Sequence, residues 1–147
     1  MKLTDFLKSI LQTDNATDTG TAFHKKMQFV VVDDEHGDKG DKEIIENIRS
    51  HPDLMPYFVA SAKTEVPIAG EVDGKFWTMR IDRLLIDDKA KEIVFVDYKT
   101  DTNKTERIDH YKEQFYKYAT LLRSAYPEYK VTGYILWKQD WTLDKLI

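Results

Sequence analysis

Apolar and polar positions along this chain follow two periods, and the change between them divides it. Leu3, Phe6, Leu7, Ile10 and Leu11 recur at helical spacing and predict an amphipathic helix over 3–11. "TDNATDTG" follows with turn and capping chemistry, Asp18 or Thr19 being suited to an N-cap. A second helix is expected through "TAFHKKMQFVVV". "DDEHGDKGDK" is polar and contains glycine, which predicts a loop. "KEIIENIRSHPDL" predicts a third helix that stops near Pro52, and "MPYFVASA" a short further turn or helix.

From Lys63 the period shortens to that of extended chain. "KTEVPIAGEV" and "KFWTMRIDRLLID" predict strands joined in a hairpin by Asp73-Gly74. "DDKAKE" is a second tight turn leading to a strand over 93–99. "IDHYKEQFYKYATLLRSAY" predicts a long helix with a stripe at Ile108, Tyr111, Phe115, Tyr118 or Ala119, and Leu122. "KVTGYILWK" predicts another strand and "WTLDKLI" a last one. Helices, a meander of strands, a helix and a strand make an α/β or α+β domain with a mixed sheet. No repeat, linker or low-complexity segment interrupts it, and residues 1–147 read as a single domain.

Composition narrows the class. The chain is 41% hydrophobic and 33% charged, an ordinary globular balance. No apolar run approaches the roughly 20 residues that cross a bilayer, and "MKLTDFLKSILQTD" lacks the pattern of a signal peptide. The absence of cysteine excludes disulfides, thiolate metal sites and Cys-ligated iron–sulfur clusters, and fits a cytoplasmic location without membrane partners. A net charge of −4 counts against an autonomous nucleic-acid-binding module, because neutralising phosphates calls for a basic surface. It leaves room for a hydrolase that gathers carboxylates around a metal.

The candidate chemistry begins at "IVFVDYKTDTNK", residues 93–104, where a buried-type strand runs straight into charge. An acid-x-Lys pattern occurs four times, at 73–75, 87–89, 97–99 and 128–130. Only Asp97-Tyr98-Lys99 follows an apolar strand. Residues i and i+2 of a strand share a face, so Asp97 and Lys99 should point the same way. Taken alone, the pair is most simply a strand-end ion pair. Asp82 changes that balance: it lies within "RIDRLLID", one hairpin turn before Asp97. Two carboxylates on antiparallel neighbours repel unless a cation sits between them, and hard oxygen ligands suit Mg²⁺ or Mn²⁺. Gln114 and Tyr118 are four apart on one helix face, placed to support the lysine or hold a substrate strand. Singly, they read as an exposed amide and a core-edge tyrosine, and a lone helical His24 is more often structural than a ligand.

Taken in order, Gly20-Thr21-x-x-His24, Glu65-Val66-Pro67, Ile81-Asp82-Arg83-Leu84, Asp97-Tyr98-Lys99-Thr100-Asp101 and Gln114-x-x-x-Tyr118 resemble the nuclease domain of the RecB/AddA branch of the PD-(D/E)XK superfamily. The tail "YPEYKVTGYILW" is similar to the strand after the helix in AddA-type helicase–nucleases, so the likeness runs from about residue 20 to 137. The resemblance implies a restriction-endonuclease-like core, with a mixed central sheet flanked by helices and an N-terminal helical segment. It implies Mg²⁺, with Mn²⁺ able to substitute, held chiefly by Asp82 and Asp97. His24 would complete the metal shell, and Glu65 would act directly or through water. Lys99 would orient the attacking water and stabilise charge on the phosphate. Gln114 and Tyr118 would support the site and contact the DNA strand, and Thr100 and Asp101 complete the block. The activity implied is metal-assisted hydrolysis of single-stranded DNA delivered by a helicase motor.

The loop G-x-x-x-x-G-K-[ST] is absent, so no nucleotide site is expected here. The resemblance then implies either the C-terminal domain of a longer helicase–nuclease polypeptide, with the motor in the same full-length chain and an AddB-type subunit as a further partner, or a stand-alone relative. The family commonly has Gly two or three residues before the first Asp, where this chain has Met79-Arg80. Arg80 shares a strand face with Asp82 and is placed to crowd it or pair with it. Two rival readings stand beside the nuclease: a nuclease-fold DNA-binding or scaffold domain whose chemistry has lapsed, and an unrelated α/β domain in which Asp97–Lys99 is only an ion pair.

Overall fold

A two-residue turn seeds the sheet. Asp73 and Gly74 adopt φ of 51° and 80°, the left-handed pair that matches a hairpin loop to the twist of its strands. In the computed structural model, which describes residues 18–147, this turn joins β1 (Lys63–Val72) to β2 (Lys75–Asp87). The helix expected over 3–11 lies outside the described residues. β3 (Glu92–Lys99) returns antiparallel to β2 through a turn in which Asp87 Oδ1 accepts hydrogen bonds from the backbone of Lys89 and Ala90. α3 (Lys104–Ala125) crosses over to β4 (Lys130–Trp137), parallel to β3, and β5 (Thr142–Lys145) closes the edge antiparallel. The sheet is mixed, with order β1-β2-β3-β4-β5.

β3 is central, and its run Ile93–Val96 is apolar on both faces because both faces are covered. On one side Phe95 and Ile93 pack with Ile135 and Trp137 of β4 against Tyr111, Phe115, Ala119 and Leu122 of α3. On the other, Val96, Tyr98 and Leu136 meet α1 (Asp18–Met27), α2 (Lys42–Arg49) and a 3₁₀ helix (Pro52–Tyr57), through Phe23, Met27, Ile44, Ile48, Leu54 and Phe58. Gly133 pairs with Phe95, and a Cβ there would overlap the Phe95 ring, so β4 approaches β3 where only glycine fits.

Two helix boundaries depart from the sequence expectation. The helix expected to run through Val32 stops at Met27. Val30, Val31 and Val32 are β-branched and prefer extended backbone, and Val31 instead forms a bridge with Lys39. The carbonyls at this helix end meet a cation. Arg83 is buried at 1% exposure, and its Nη2 donates to the carbonyls of Met27 and Val30 at 2.9 and 3.3 Å. Its Nη1 donates to the Tyr57 carbonyl and its Nε to Tyr98 Oη, while the guanidinium lies 4.3 Å from the centre of the Phe58 ring. One side chain thus ties α1 and the 3₁₀ helix to β2 and β3. At the other boundary, α3 begins at Lys104 rather than Ile108. Asn103 Oδ1 accepts from Glu106 N while Asn103 Nδ2 donates to the Glu106 carboxylate, a reciprocal cap. Among the described residues no helix is long and apolar enough to cross a membrane.

Candidate functional site

The register of three strands lines up three carboxylates. Thr64 pairs with Arg83 and Val66 with Ile81, so Glu65 lies opposite Asp82. β2 and β3 pair from Asp87–Glu92 as far as Arg83–Val96, and the next position sets Asp82 opposite Asp97. Glu65, Asp82 and Asp97 therefore form a row across β1, β2 and β3. Two local departures mark this row. Glu65 has a φ of 53° and drops out of the β1–β2 ladder, a left-handed conformation uncommon for a residue with a Cβ. Beyond Arg83–Val96, Asp82 Oδ2 accepts a hydrogen bond from the Tyr98 backbone N–H at 2.8 Å. A side chain thus fills a ladder position where β2 and β3 part.

Asp82 and Asp97 are both buried, at 6% and 4% exposure, and the helical layers supply their neighbours. His24, on α1, places Nδ1 3.5 Å from Asp82 Oδ1. Burial alone would push the imidazole down. The bond to Asp82 and the charges of Asp82 and Asp97 outweigh it and hold His24 above its ordinary value. Burial also acts to raise Asp82, but the His24 and Tyr98 hydrogen bonds and the His24 charge keep its carboxyl below the usual range. Asp97 goes the other way: burial pushes it up to about 7, the Lys99 ammonium opposing and the Asp82 charge reinforcing the rise. Two facing carboxyls in a low-dielectric site do not both ionise readily.

Lys99 Nζ lies 2.7 Å from Asp97 Oδ2, so the two side chains share a face as the alternation requires. From the opposite layer, α3 fixes the ammonium. Lys99 Nζ donates to Gln114 Oε1 at 3.3 Å, Gln114 Nε2 donates to Tyr118 Oη at 3.0 Å, and Tyr118 Oη donates to the Arg80 carbonyl at 3.1 Å. The ammonium also sits 4.4 Å from the centre of the Tyr111 ring, and Tyr111 Oη donates to Asp101. Asp101 therefore reaches the lysine through Tyr111, while Thr100 lies half-buried just after β3.

The donors present suit a hard divalent cation. One ligand atom each from His24, Glu65 and Asp82 lie within 4.8 Å of one another, comparable to the roughly 4–5 Å between opposite ligands of one oxygen-bound divalent ion. Asp97 lies outside that group of three: it adjoins Asp82, and its Oδ2 is held by the Lys99 ammonium at 2.7 Å.

Every candidate residue except Thr100 thus joins one connected group. Arg80 is expected to crowd Asp82 or pair with it; its ion pair is instead with Glu65, Nε to Oε2 at 2.8 Å. Two participants went unrecognised in the sequence. Tyr98 serves through its backbone N–H, which side-chain identity does not report. Periodicity marks Tyr111 only as core stripe, although its position three before Gln114 places it beside that side chain.

No protein-family model matches the chain, and no curated protein does. Among solved structures, the crystal structure of SSO0001 is similar at 20% identity and a TM-score of 0.40, covering 71% of this chain and 48% of that one. The chain thus spans about half the length of that structure.

Proposed function

We propose that this is a metal-dependent nuclease domain of the PD-(D/E)XK type. It hydrolyses phosphodiester bonds of single-stranded DNA as part of an AddAB/RecBCD-type helicase–exonuclease in cytoplasmic double-strand break repair. The observation that carries the reading is the row Glu65, Asp82 and Asp97 with Lys99 pointing into it from the strand end. An ion pair alone would not account for three carboxylates set across three strands, two of them buried.

His24, Glu65, Asp82 and Asp97 are the residues that would hold the ion. A bound Mg²⁺ or Mn²⁺ neutralises phosphate charge and makes water a better nucleophile. The protein's own part is positioning. Lys99 is clamped by Asp97, Gln114 and the Tyr111 ring, so its protons point to one place. A compact ammonium held there hydrogen-bonds an attacking water or a phosphate oxygen as charge builds. Gln114 and Tyr118 act through Lys99, linking it to α3 and to the β2 backbone at Arg80. The DNA groove would be completed by the helicase chain and partner subunit, in keeping with a net charge of −4.

Cleavage of end-labelled single-stranded DNA tests this. With Mg²⁺ or Mn²⁺, Asp97→Ala and Lys99→Ala are expected to lower the rate at least about a hundredfold, with circular dichroism unchanged. A wild-type protein inert with both ions, alone and joined to its helicase chain, overturns the proposal. The ion pair between Arg80 and Glu65 favours a second reading, a nuclease-fold DNA-binding scaffold whose chemistry has lapsed, because a guanidinium already neutralises one acidic position. Lack of any Mn²⁺ binding at millimolar concentration would favour that scaffold.

A further inference from the structure

We infer that Arg80 is a built-in counter-ion of this site: it holds Glu65 while the protein is metal-free and is displaced when a divalent ion binds, so it sets the affinity for metal. This rests on the metal-site reading above and deepens it.

The strand geometry places Arg80 for the task. Its cross-strand partner is Pro67, two residues beyond Glu65, so Arg80 and Glu65 form a diagonal pair on adjacent strands. Arg80 Nε meets Glu65 Oε2 at 2.8 Å, and the arginine side chain is 59% exposed against 21% for the glutamate. The two ends of Arg80 differ. Its carbonyl is anchored by Tyr118 Oη, whereas its guanidinium stands at the solvent side of the site. The side chain can leave without disturbing β2.

Glu65 is the contested group. Its left-handed φ of 53° lies between two intact register pairs, Thr64–Arg83 and Val66–Ile81, so the flanking ladder holds its backbone in place. Its carboxylate also belongs to the cluster with His24 and Asp82 that lies within 4.8 Å. A cation bound to that cluster draws on the same carboxylate as the guanidinium, and two positive charges on one carboxylate repel. Metal binding must therefore loosen Arg80. The guanidinium so released is a planar donor suited to phosphate oxygens, and it lies two residues from Asp82 on β2. The same exchange that admits the ion presents a phosphate ligand beside it.

Calorimetric titration with MnCl₂ tests the inference. Arg80→Gln is expected to bind Mn²⁺ more tightly than wild type by a factor on the order of ten, with Arg80→Lys in between. On a Glu65→Gln background, Arg80→Gln should change nothing, because the group contested by ion and guanidinium is gone. Unchanged or weaker binding by Arg80→Gln, with wild type binding normally, overturns the role of Arg80 and leaves the metal site standing. An equal effect on the Glu65→Gln background also overturns it, since general charge would then be the cause. Binding by Arg80→Gln but not by wild type supports it strongly. No binding by either protein, both folded by circular dichroism, overturns the metal site and the counter-ion together.

Discussion

Asp97 carries the sharpest conflict in the molecule. Its carboxyl is buried, faces Asp82, and is raised to about 7 against an unfolded value near 4. The folded state therefore holds the Asp97 proton more tightly than the unfolded chain. Its contribution to stability is present below about pH 4, declines as pH rises, and is lost above about pH 7. Thermal melts in chelator check this: Asp97→Asn should match wild type below about pH 4 and melt higher at pH 8, by about 5 °C. A lower melting temperature at pH 8 would mean that the contact with Lys99 outweighs burial. The same residue shows what was legible. That Asp97 and Lys99 share a face followed from strand alternation. That Asp97 rather than Asp82 is the member of the pair whose carboxyl is pushed up depends on His24 and the Tyr98 N–H favouring ionised Asp82, contacts that only folding supplies.

At the scale of elements, strands were read more accurately than helices. Alternation and the Asp73-Gly74 turn placed β1 and β2, because a two-residue hairpin loop constrains both ends at once. α1 was expected to reach Val32 because its apolar spacing continues. Three β-branched valines and the bond from Arg83, distant in sequence, to the carbonyl of its last residue end it at Met27. α3 starts a turn before its apolar stripe because its cap, Asn103 with Glu106, precedes that stripe. The β3–β4 contact gives the prediction proper to this scale. Gly133→Ala drives a methyl into the Phe95 ring and should cost roughly 1–3 kcal/mol in urea unfolding. A neutral effect would show that Phe95 has room to turn aside.

Across the whole molecule, the candidate site lies at the seam between two helical layers. His24 reaches Asp82 from α1 on one side, and Gln114 and Tyr118 hold Lys99 from α3 on the other. An ion bound to β1, β2 and α1 together links elements far apart in sequence, and so stabilises the domain as a unit. At a hundredfold excess over its dissociation constant, Mn²⁺ should add about 2.7 kcal/mol, seen as a rise in melting temperature. Asp82→Asn should abolish most of that rise. A full rise in the variant would place the ion elsewhere.

By itself the sequence determined the strands, the hairpin, the mixed α/β order and the residue types that gather at one strand end. These follow from near-neighbour physics: period, turn chemistry and same-face spacing. The tertiary structure alone decided that Glu65, Asp82 and Asp97 fall in one row, that Glu65 turns left-handed, and that Arg80 pairs with Glu65 rather than Asp82. Strand register and ion-pair choice depend on distances between segments that only packing brings together. Periodicity says which way a side chain faces, never what it meets there.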